Sequence, residues 1–170
     1  DFADLFGTNF VEADLEGSSF VRADLRGANM ARAKLRHANL KGADLRSGVM
    51  VIVDAGREKK VKRATDLANA DLQGSMLSGA NMAESNLSGA RLADADLSDA
   101  NMFAVNLAGA DLTGCNLSGA KLKNANLKGA RFKDSLLVGT DLTGANLRNV
   151  DLTSVDLSQA NIANSIGSKA

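Results

Sequence analysis

Cys115 and His37 are the single cysteine and the single histidine of this sequence, and both side-chain types are often used in covalent or acid–base chemistry. A nucleophilic thiol needs a base beside it, and a zinc site takes its ligands from clustered cysteines, histidines and carboxylates. We find no Ser-His-Asp, Cys-His, zinc-ligand or phosphate-loop arrangement in the sequence. We therefore expect a protein that is not an enzyme and that holds no metal or other cofactor.

Both residues have a simpler place in a repeating pattern. The unit is Ala-(Asp/Asn)-Leu-x-x, as in Ala70-Asp71-Leu72 and Ala110-Asp111-Leu112. Cys115 occupies the small-residue position of its unit, so we expect it to be buried and unreactive. His37 comes two positions after the leucine of its unit, where we expect an outward, solvated side chain.

The unit of five residues recurs along most of the chain. We call its large apolar residue the centre, and centres run from Leu5 to Leu45 and from Leu67 to Ile162. The residue two positions before a centre is small or β-branched. Alternation in an extended segment points both residues to the same side, and a narrow interior has room for a large residue only beside a small one. Centres and small residues therefore form the predicted core.

These units resemble the pentapeptide-repeat family over about residues 3–47 and 65–163. The resemblance implies an all-β fold, a right-handed quadrilateral parallel β-helix with four units, or twenty residues, in each of about seven coils. We interpret residues 1–170 as one domain. It comprises a first repeat block at 1–47, an inserted loop with a register shift at 48–64, and a second block at 65–166.

Residues twenty apart should lie above one another at the spacing of paired strands, about 4.8 Å. This stacking predicts an interior column, an outward column of alternating charge and an outward column of amides. The interior column contains Leu72, Leu92, Leu112, Phe132 and Leu152. The column of alternating charge contains Asp71, Arg91, Asp111, Arg131 and Asp151. The column of amides contains Asn86, Asn106, Asn126 and Asn146.

The pattern fails between Leu45 and Leu67, which are 22 residues apart rather than a multiple of five. We expect this segment to leave the rod, with an apolar run, a turn at Asp54–Gly56 and a basic return. Long excursions from a regular scaffold often carry binding residues, although a bulge that merely packs on a coil would also fit. The predicted partner-binding loop residues are Val51, Ile52, Arg57, Lys59, Lys60, Lys62 and Arg63, and Arg32, Lys34, Arg36 and Arg46 form a predicted basic surface beside it.

The composition of the chain limits the class of partner that it can bind. Twenty basic and twenty acidic residues cancel, and the chain has no Trp or Tyr, which argues against a surface that stacks on nucleobases. We expect a structural or protein–protein interaction scaffold, such as a subunit of a larger assembly, that binds a protein with an acidic surface. Open solenoid ends could also accept a second copy. The family resemblance leaves an alternative, a DNA mimic that regulates or protects a type II topoisomerase such as DNA gyrase.

No apolar run reaches the roughly 20 residues of a membrane span, so we expect a soluble chain without a transmembrane segment. The chain begins at Asp1 without Met. It fits either a processed mature protein or a domain excised from a longer one.

Overall fold

The computed structural model describes residues 1–167, which form a stack of coils and one projecting β-hairpin. Parallel bridges join residues twenty apart, such as Asp71 to Arg91 and Arg91 to Asp111. Four such columns of bridges run along the stack, one for each unit of a coil. Each bridge is a single residue pair. The only continuous strands among residues 1–167 are therefore those of the hairpin, β1 at Gly48–Asp54 and β2 at Arg57–Arg63.

Each unit is folded by a tight turn that its own residues favour. The residue two positions after a centre has a positive φ along most of the stack, whether it is Gly89 (65°) or Asn69 (56°). The Asp or Asn before the centre accepts a hydrogen bond from the backbone N–H two residues later, as from Ala68 to Asp66 at 3.0 Å. This local bond explains why Asp and Asn recur at that position.

The interior is built from the predicted centres and small residues. Leu72, Leu92 and Leu112 are fully buried, and so is Cys115 in its small-residue position. The interior column is confirmed up to Phe132, whereas Leu152 is only partly buried. The column therefore loses its cover in the last coil.

The hairpin leaves the stack without changing its register. Bridge partners across the hairpin are 37 residues apart, as in Asn29 with Asp66, and they return to twenty apart from Asp66 to Asn86. The difference between these two spacings, 37 and twenty, equals the 17 residues between Ser47 and Thr65. The register shift that the sequence predicts at 48–64 is therefore wrong for the stack, although the projecting excursion is present. In the structure the same four columns continue on both sides, because the excursion begins and ends at one corner.

The stack is interrupted near its C-terminal end. Within the described residues, no bridge and no backbone hydrogen bond joins Arg131 or Phe132 to Asp151. The predicted charge column therefore ends at Arg131, and the prediction that Asp151 stacks on it is wrong. The turn residues Ser154 and Gln159 also lack the positive φ found in neighbouring units.

The last coil also differs from the others in its core. Val150 and Val155 fill two successive small-residue positions above the large Phe132. The single Val105 is accommodated and fully buried elsewhere, but two branched side chains in one coil exceed the space that alanines would need. We call this opening between the last two coils the C-terminal seam.

Candidate functional site

The hairpin closes through a two-residue turn at Ala55 and Gly56. Both have positive φ, 48° and 75°, which is the type I′ geometry that matches the twist of paired strands. The strands pair antiparallel from Gly48 with Arg63 to Asp54 with Arg57. Gly56 suits the turn because it lacks a Cβ, whereas Ala55 adopts the left-handed region at some cost.

The two faces of the hairpin have similar chemistry. Val51 lies opposite Lys60 on one face, and Ile52 lies opposite Lys59 on the other, because neighbouring strand residues point to opposite sides. Each face thus combines an apolar residue of β1 with a basic residue of β2. The structure separates Val51 from Ile52 and joins each of them to a lysine, a pairing that composition alone does not predict.

Contacts with the stack hold the base of the hairpin. Gly48 is buried so closely against Phe6 that an added Cβ would lie 2.7 Å from the ring. Lys62 forms an ion pair with Glu84, and the guanidinium of Arg63 lies 3.8 Å from the sulfur of Met50. Lys62 and Arg63 therefore anchor the hairpin, in addition to any role in recognition.

Thr65 secures the point where the chain re-enters the coil. Its buried hydroxyl accepts a hydrogen bond from the backbone N–H of Gly27 at 2.9 Å. The same hydroxyl lies within donor distance of the carbonyl oxygens of Arg46 (2.8 Å) and Leu25 (3.1 Å). The sequence marks Thr65 only as a small residue, so this role was not predicted.

Farther from the base, the basic residues of the hairpin are free. Arg57, Lys59 and Lys60 are exposed and form no ion pair with any residue in the described part of the chain. Opposite them, Val51 and Ile52 are 56% and 42% exposed. The outer half of the hairpin therefore presents positive charge and apolar surface that no neighbouring element covers.

The predicted basic surface on the coils is mostly neutralised. Arg32 pairs with Glu12 at 2.8 Å, Lys34 with Asp14 at 3.3 Å, and Arg46 with Asp44 at 2.7 Å. Arg36 is exposed and has no ion pair within residues 1–167. Of the four predicted residues, Arg36 alone keeps an uncompensated charge.

Some of these ion pairs, such as Lys34 with Asp14, join neighbours in the column of alternating charge. The alternating column begins earlier than the sequence indicates, since Asp14 and Lys34 precede Asp71 in the same run of bridges. Its contacts include Arg91 to Asp71 at 3.2 Å and Arg131 to Asp111 at 3.3 Å. The two early members are missed because the hairpin changes the numerical spacing from twenty to 37.

The predicted amide column is confirmed. Asn86 donates through its side-chain amide to Asp66, and Asn106, Asn126 and Asn146 each donate to the amide oxygen one coil below, at 2.9 to 3.3 Å. These bonds satisfy the side chains along the axis of the stack. Both columns therefore serve the cohesion of the coils.

The two chemistry-bearing side chains occupy their predicted places. Cys115 is buried with its sulfur 2.9 Å from the carbonyl oxygen of Leu92, and burial raises the pKa of its thiol to about 12. His37 is exposed, with its ring against Gly74. Among residues 1–167 no cluster of three or more His, Cys, Asp and Glu side chains could hold a metal ion.

The C-terminal seam opens a cleft of about 520 Å³. Arg131, Phe132 and Lys133 line it from the inner coil, and Asp151, Thr153 and Ser154 line it from the last coil. The same part of the molecule exposes Leu136 and Val138, each by 57%.

We also find no helix in residues 1–167 with the length and apolar character that a membrane crossing requires.

The five-residue geometry of these coils matches a known family. The family model for pentapeptide repeats matches residues 8–46, 65–102, 100–137 and 130–166. The chain belongs to the pentapeptide repeat family. The matched ranges omit residues 47–64, which contain the hairpin.

Several solved pentapeptide repeat structures are similar to this member of the family. HetL, a pentapeptide repeat protein involved in heterocyst differentiation regulation from Nostoc sp. strain PCC 7120, is 30% identical with a TM-score of 0.54. The match covers 95% of this chain and 73% of HetL. No curated protein matches the chain.

Two further structures have lower scores. A trypsin-treated form of QnrB1, a plasmid-mediated fluoroquinolone resistance protein, is 14% identical over 92% of this chain and 83% of its own, with a TM-score of 0.41. A pentapeptide repeat protein from the thylakoid lumen of Arabidopsis thaliana is 24% identical over 94% and 81%, with a TM-score of 0.26. Neither likeness carries functional information for this chain.

Proposed function

We propose that this pentapeptide repeat protein is a non-catalytic scaffold whose hairpin binds a protein partner with an acidic, partly apolar surface. The proposal rests chiefly on one observation, that Arg57, Lys59 and Lys60 project from the stack without ion-pair partners in the described residues. Three of the four residues of the predicted basic surface on the coils are paired with acids. Arg57, Lys59 and Lys60 therefore place three unpaired charges within four residues of the segment that departs from the repeat.

The apolar side chains of β1 support the same role. Val51 and Ile52 lie directly across from the free lysines, so a partner that binds either face meets charge and apolar surface together. Interfaces gain affinity from buried apolar contacts, and complementary charge adds association rate and specificity. A partner segment that carries both acidic and apolar side chains would use both halves of the hairpin.

The scaffold in this proposal is a right-handed quadrilateral β-helix, the fold that the family resemblance implies. The four columns of parallel bridges support that shape. Regular stacking would hold the hairpin at a fixed corner. The partner-binding surface would then be set by a rigid support rather than by a flexible linker.

The alternative function, a DNA mimic that acts on a type II topoisomerase, has less support. Such a mimic needs a long negative surface in place of phosphates. The column from Asp14 to Arg131 instead alternates in sign, with ion pairs between its members. The hairpin adds further positive charge to the molecule.

The proposal is tested by replacing Arg57, Lys59 and Lys60 together with Ser and comparing the proteins captured by tagged wild type and variant over a series of salt concentrations. We expect the wild type to release its charge-dependent partners at high salt, because ions screen charge steering. We expect the variant to fail to capture the same partners even at low salt. Lys62 and Arg63 are kept, since they anchor the hairpin. Their retention should leave the thermal unfolding midpoint unchanged.

A matched control replaces three exposed lysines of the coils, Lys123, Lys128 and Lys133, with Ser. This variant loses the same charge away from the hairpin and should capture the same proteins as wild type. Equal capture by the hairpin variant would contradict the proposal. Inhibition or protection of DNA gyrase in a supercoiling assay, unaffected by the hairpin substitutions, would favour the alternative.

A further inference from the structure

We propose that the free edge of β1 pairs with the β1 edge of a second copy of this chain, so that two hairpins form one four-stranded antiparallel sheet. This inference concerns a different edge from the basic residues assigned to an acidic partner. It would hold whether or not that partner is correctly described.

The hairpin leaves two open strand edges. In an antiparallel pair, residues alternate between those that bond to the partner strand and those whose N–H and C=O point outward. The pair that flanks the two-residue turn, Asp54 with Arg57, bonds inward. The outward groups of β1 therefore belong to Val49, Val51 and Val53, and those of β2 belong to Glu58, Lys60 and Lys62.

The side chains at these two edges differ sharply. Natural sheets protect their edges with charged residues, especially lysine, and β2 follows that rule. β1 carries no such protection at its outward positions, where Val49, Val51 and Val53 are 57%, 56% and 72% exposed. Among residues 1–167, their outward backbone groups have no hydrogen-bond partner in the coils. An unprotected β-branched edge is a template for another strand.

A second copy fits this edge in one symmetric register. An antiparallel pairing about a two-fold axis at Val51 places Val51 beside its own equivalent and Val49 beside Val53 of the second copy. Every outward N–H and C=O of these three valines then finds a partner. The two remaining contacts join Met50 to Ile52 of the other copy, so only apolar side chains meet across the axis.

Charge favours β1 over β2 for this contact. In the order β2-β1-β1-β2, the two basic strands are three strand spacings apart, about 14 Å. That separation exceeds the screening length of about 8 Å at physiological salt. Pairing through β2 would instead set Lys60 beside its equivalent. Self-association through β1 therefore leaves the basic residues at the outer edges and open to solvent.

Residues 51–60 are all exposed, so the stack does not cover the outer half of the hairpin. Each β1 runs outward from its stack, so antiparallel pairing sets the two stacks at opposite ends of the sheet, separated by the length of a seven-residue strand, about 23 Å. A contact made only by two strands is smaller than the roughly 800 Å² per partner of a standard interface. We therefore expect a dimer that forms as the protein concentration rises.

A pair of proline substitutions tests the edge. Val51→Pro and Lys60→Pro change residues that face each other in the hairpin, and each removes only an outward N–H, which an edge strand tolerates. By sedimentation over a concentration series, wild type and Lys60→Pro should dimerise while Val51→Pro remains monomeric. Lys60→Pro controls for local strain, because it alters the same level of the same hairpin.

Cross-linking supplies a second measurement. Val51→Cys should form a disulfide-linked or maleimide-linked dimer, and Lys60→Cys should not. Cys115 does not interfere, because it is buried and its pKa is raised to about 12 by burial. A wild type that stays monomeric at millimolar concentration would overturn the proposal. Dimers that survive Val51→Pro, or that are lost equally in both proline variants, would also overturn it.

Discussion

The stack and the hairpin use apolar residues in opposite ways. In the stack, centres such as Leu112 are fully buried and lie between the centres of the neighbouring coils, whereas Val53 at the end of the hairpin is 72% exposed. Burial of a leucine contributes roughly 1.5–3 kcal/mol to folding, and an exposed valine contributes very little. The apolar sequence of β1 is therefore not explained by the stability of the fold.

The largest expected effect is the loss of a buried centre. Leu112→Ala should lower the free energy of unfolding by about 2–5 kcal/mol, because the rigid coils on both sides cannot collapse into the cavity. Val53→Ala should change it by less than about 0.5 kcal/mol. Chemical denaturation of both variants at low protein concentration measures the contrast. Similar costs would show that the hairpin is part of the core.

A smaller effect is expected where the two regions join. Thr65→Val keeps the shape of the side chain but removes the hydroxyl that bonds Gly27 and faces two carbonyls. We expect a loss of about 1–3 kcal/mol in the free energy of unfolding. Thr8→Val is a control, because Thr8 lies at a partly exposed small-residue position and its hydroxyl forms no hydrogen bond within residues 1–167. An equal loss in the control would mean that Thr65 has no special part in closing the coil.

The amide column should show a still smaller loss. Asn106→Ala removes the bonds to Asn86 and Asn126 and the acceptor for the N–H of Ala108, and we expect a cost of about 1 kcal/mol. Asn106→Asp retains both acceptor bonds and loses only the donor, so its cost near neutral pH should be smaller. Denaturation curves that rank the two variants in the reverse order would contradict the assigned bonding.

The smallest effect concerns surface charge near the hairpin. The hydrogen bond from Arg26 lowers the pKa of Asp24, despite an opposing contribution from burial. A carboxylate with a lowered pKa stabilises the fold above its unfolded value of about 3.9, and this contribution is lost as the pH falls through the folded pKa. Exposed pairs contribute under about 1 kcal/mol.

Asp24→Asn should accordingly make unfolding slightly less sensitive to acid. The measurement is the thermal midpoint at neutral pH and at a pH below the folded pKa of Asp24, compared with wild type. An unchanged difference between the two midpoints would show that the ion pair contributes nothing in solution. A larger difference in the variant would contradict the direction of the shift.

Much of the stack is predictable because a short period fixes both the inward residues and their neighbours one coil away. The burial of Cys115 and the hydrogen bonds of the Asn86 column follow from counting alone. Counting by twenty fails at the hairpin, so the sequence does not place Asp14 and Lys34 in the column of Asp71. Placing Asp14 and Lys34 in that column requires knowing that the chain returns to the corner of the stack from which the hairpin departs.

Other features depend on side-chain volume and on pairing that no repeat specifies. The sequence contains a signal for the C-terminal seam, namely Val150 and Val155 in successive small positions, but their effect depends on how much room Phe132 leaves. The opposition of Val51 with Lys60 depends on the two-residue turn. A turn predicted over Asp54–Gly56 does not determine that register by itself.

The C-terminal seam also bears on how the molecule unfolds. In a stack where each coil contacts only its neighbours, stability is close to a sum of contacts between adjacent coils. The coil that contains Val150 and Val155 lacks the backbone bonds that would join Phe132 to Asp151 and Leu137 to Asp156. Its opening should therefore cost less free energy than opening any coil in the middle of the stack. Native-state hydrogen exchange would register it as a separate cooperative unit, whose amides exchange long before those around Leu112.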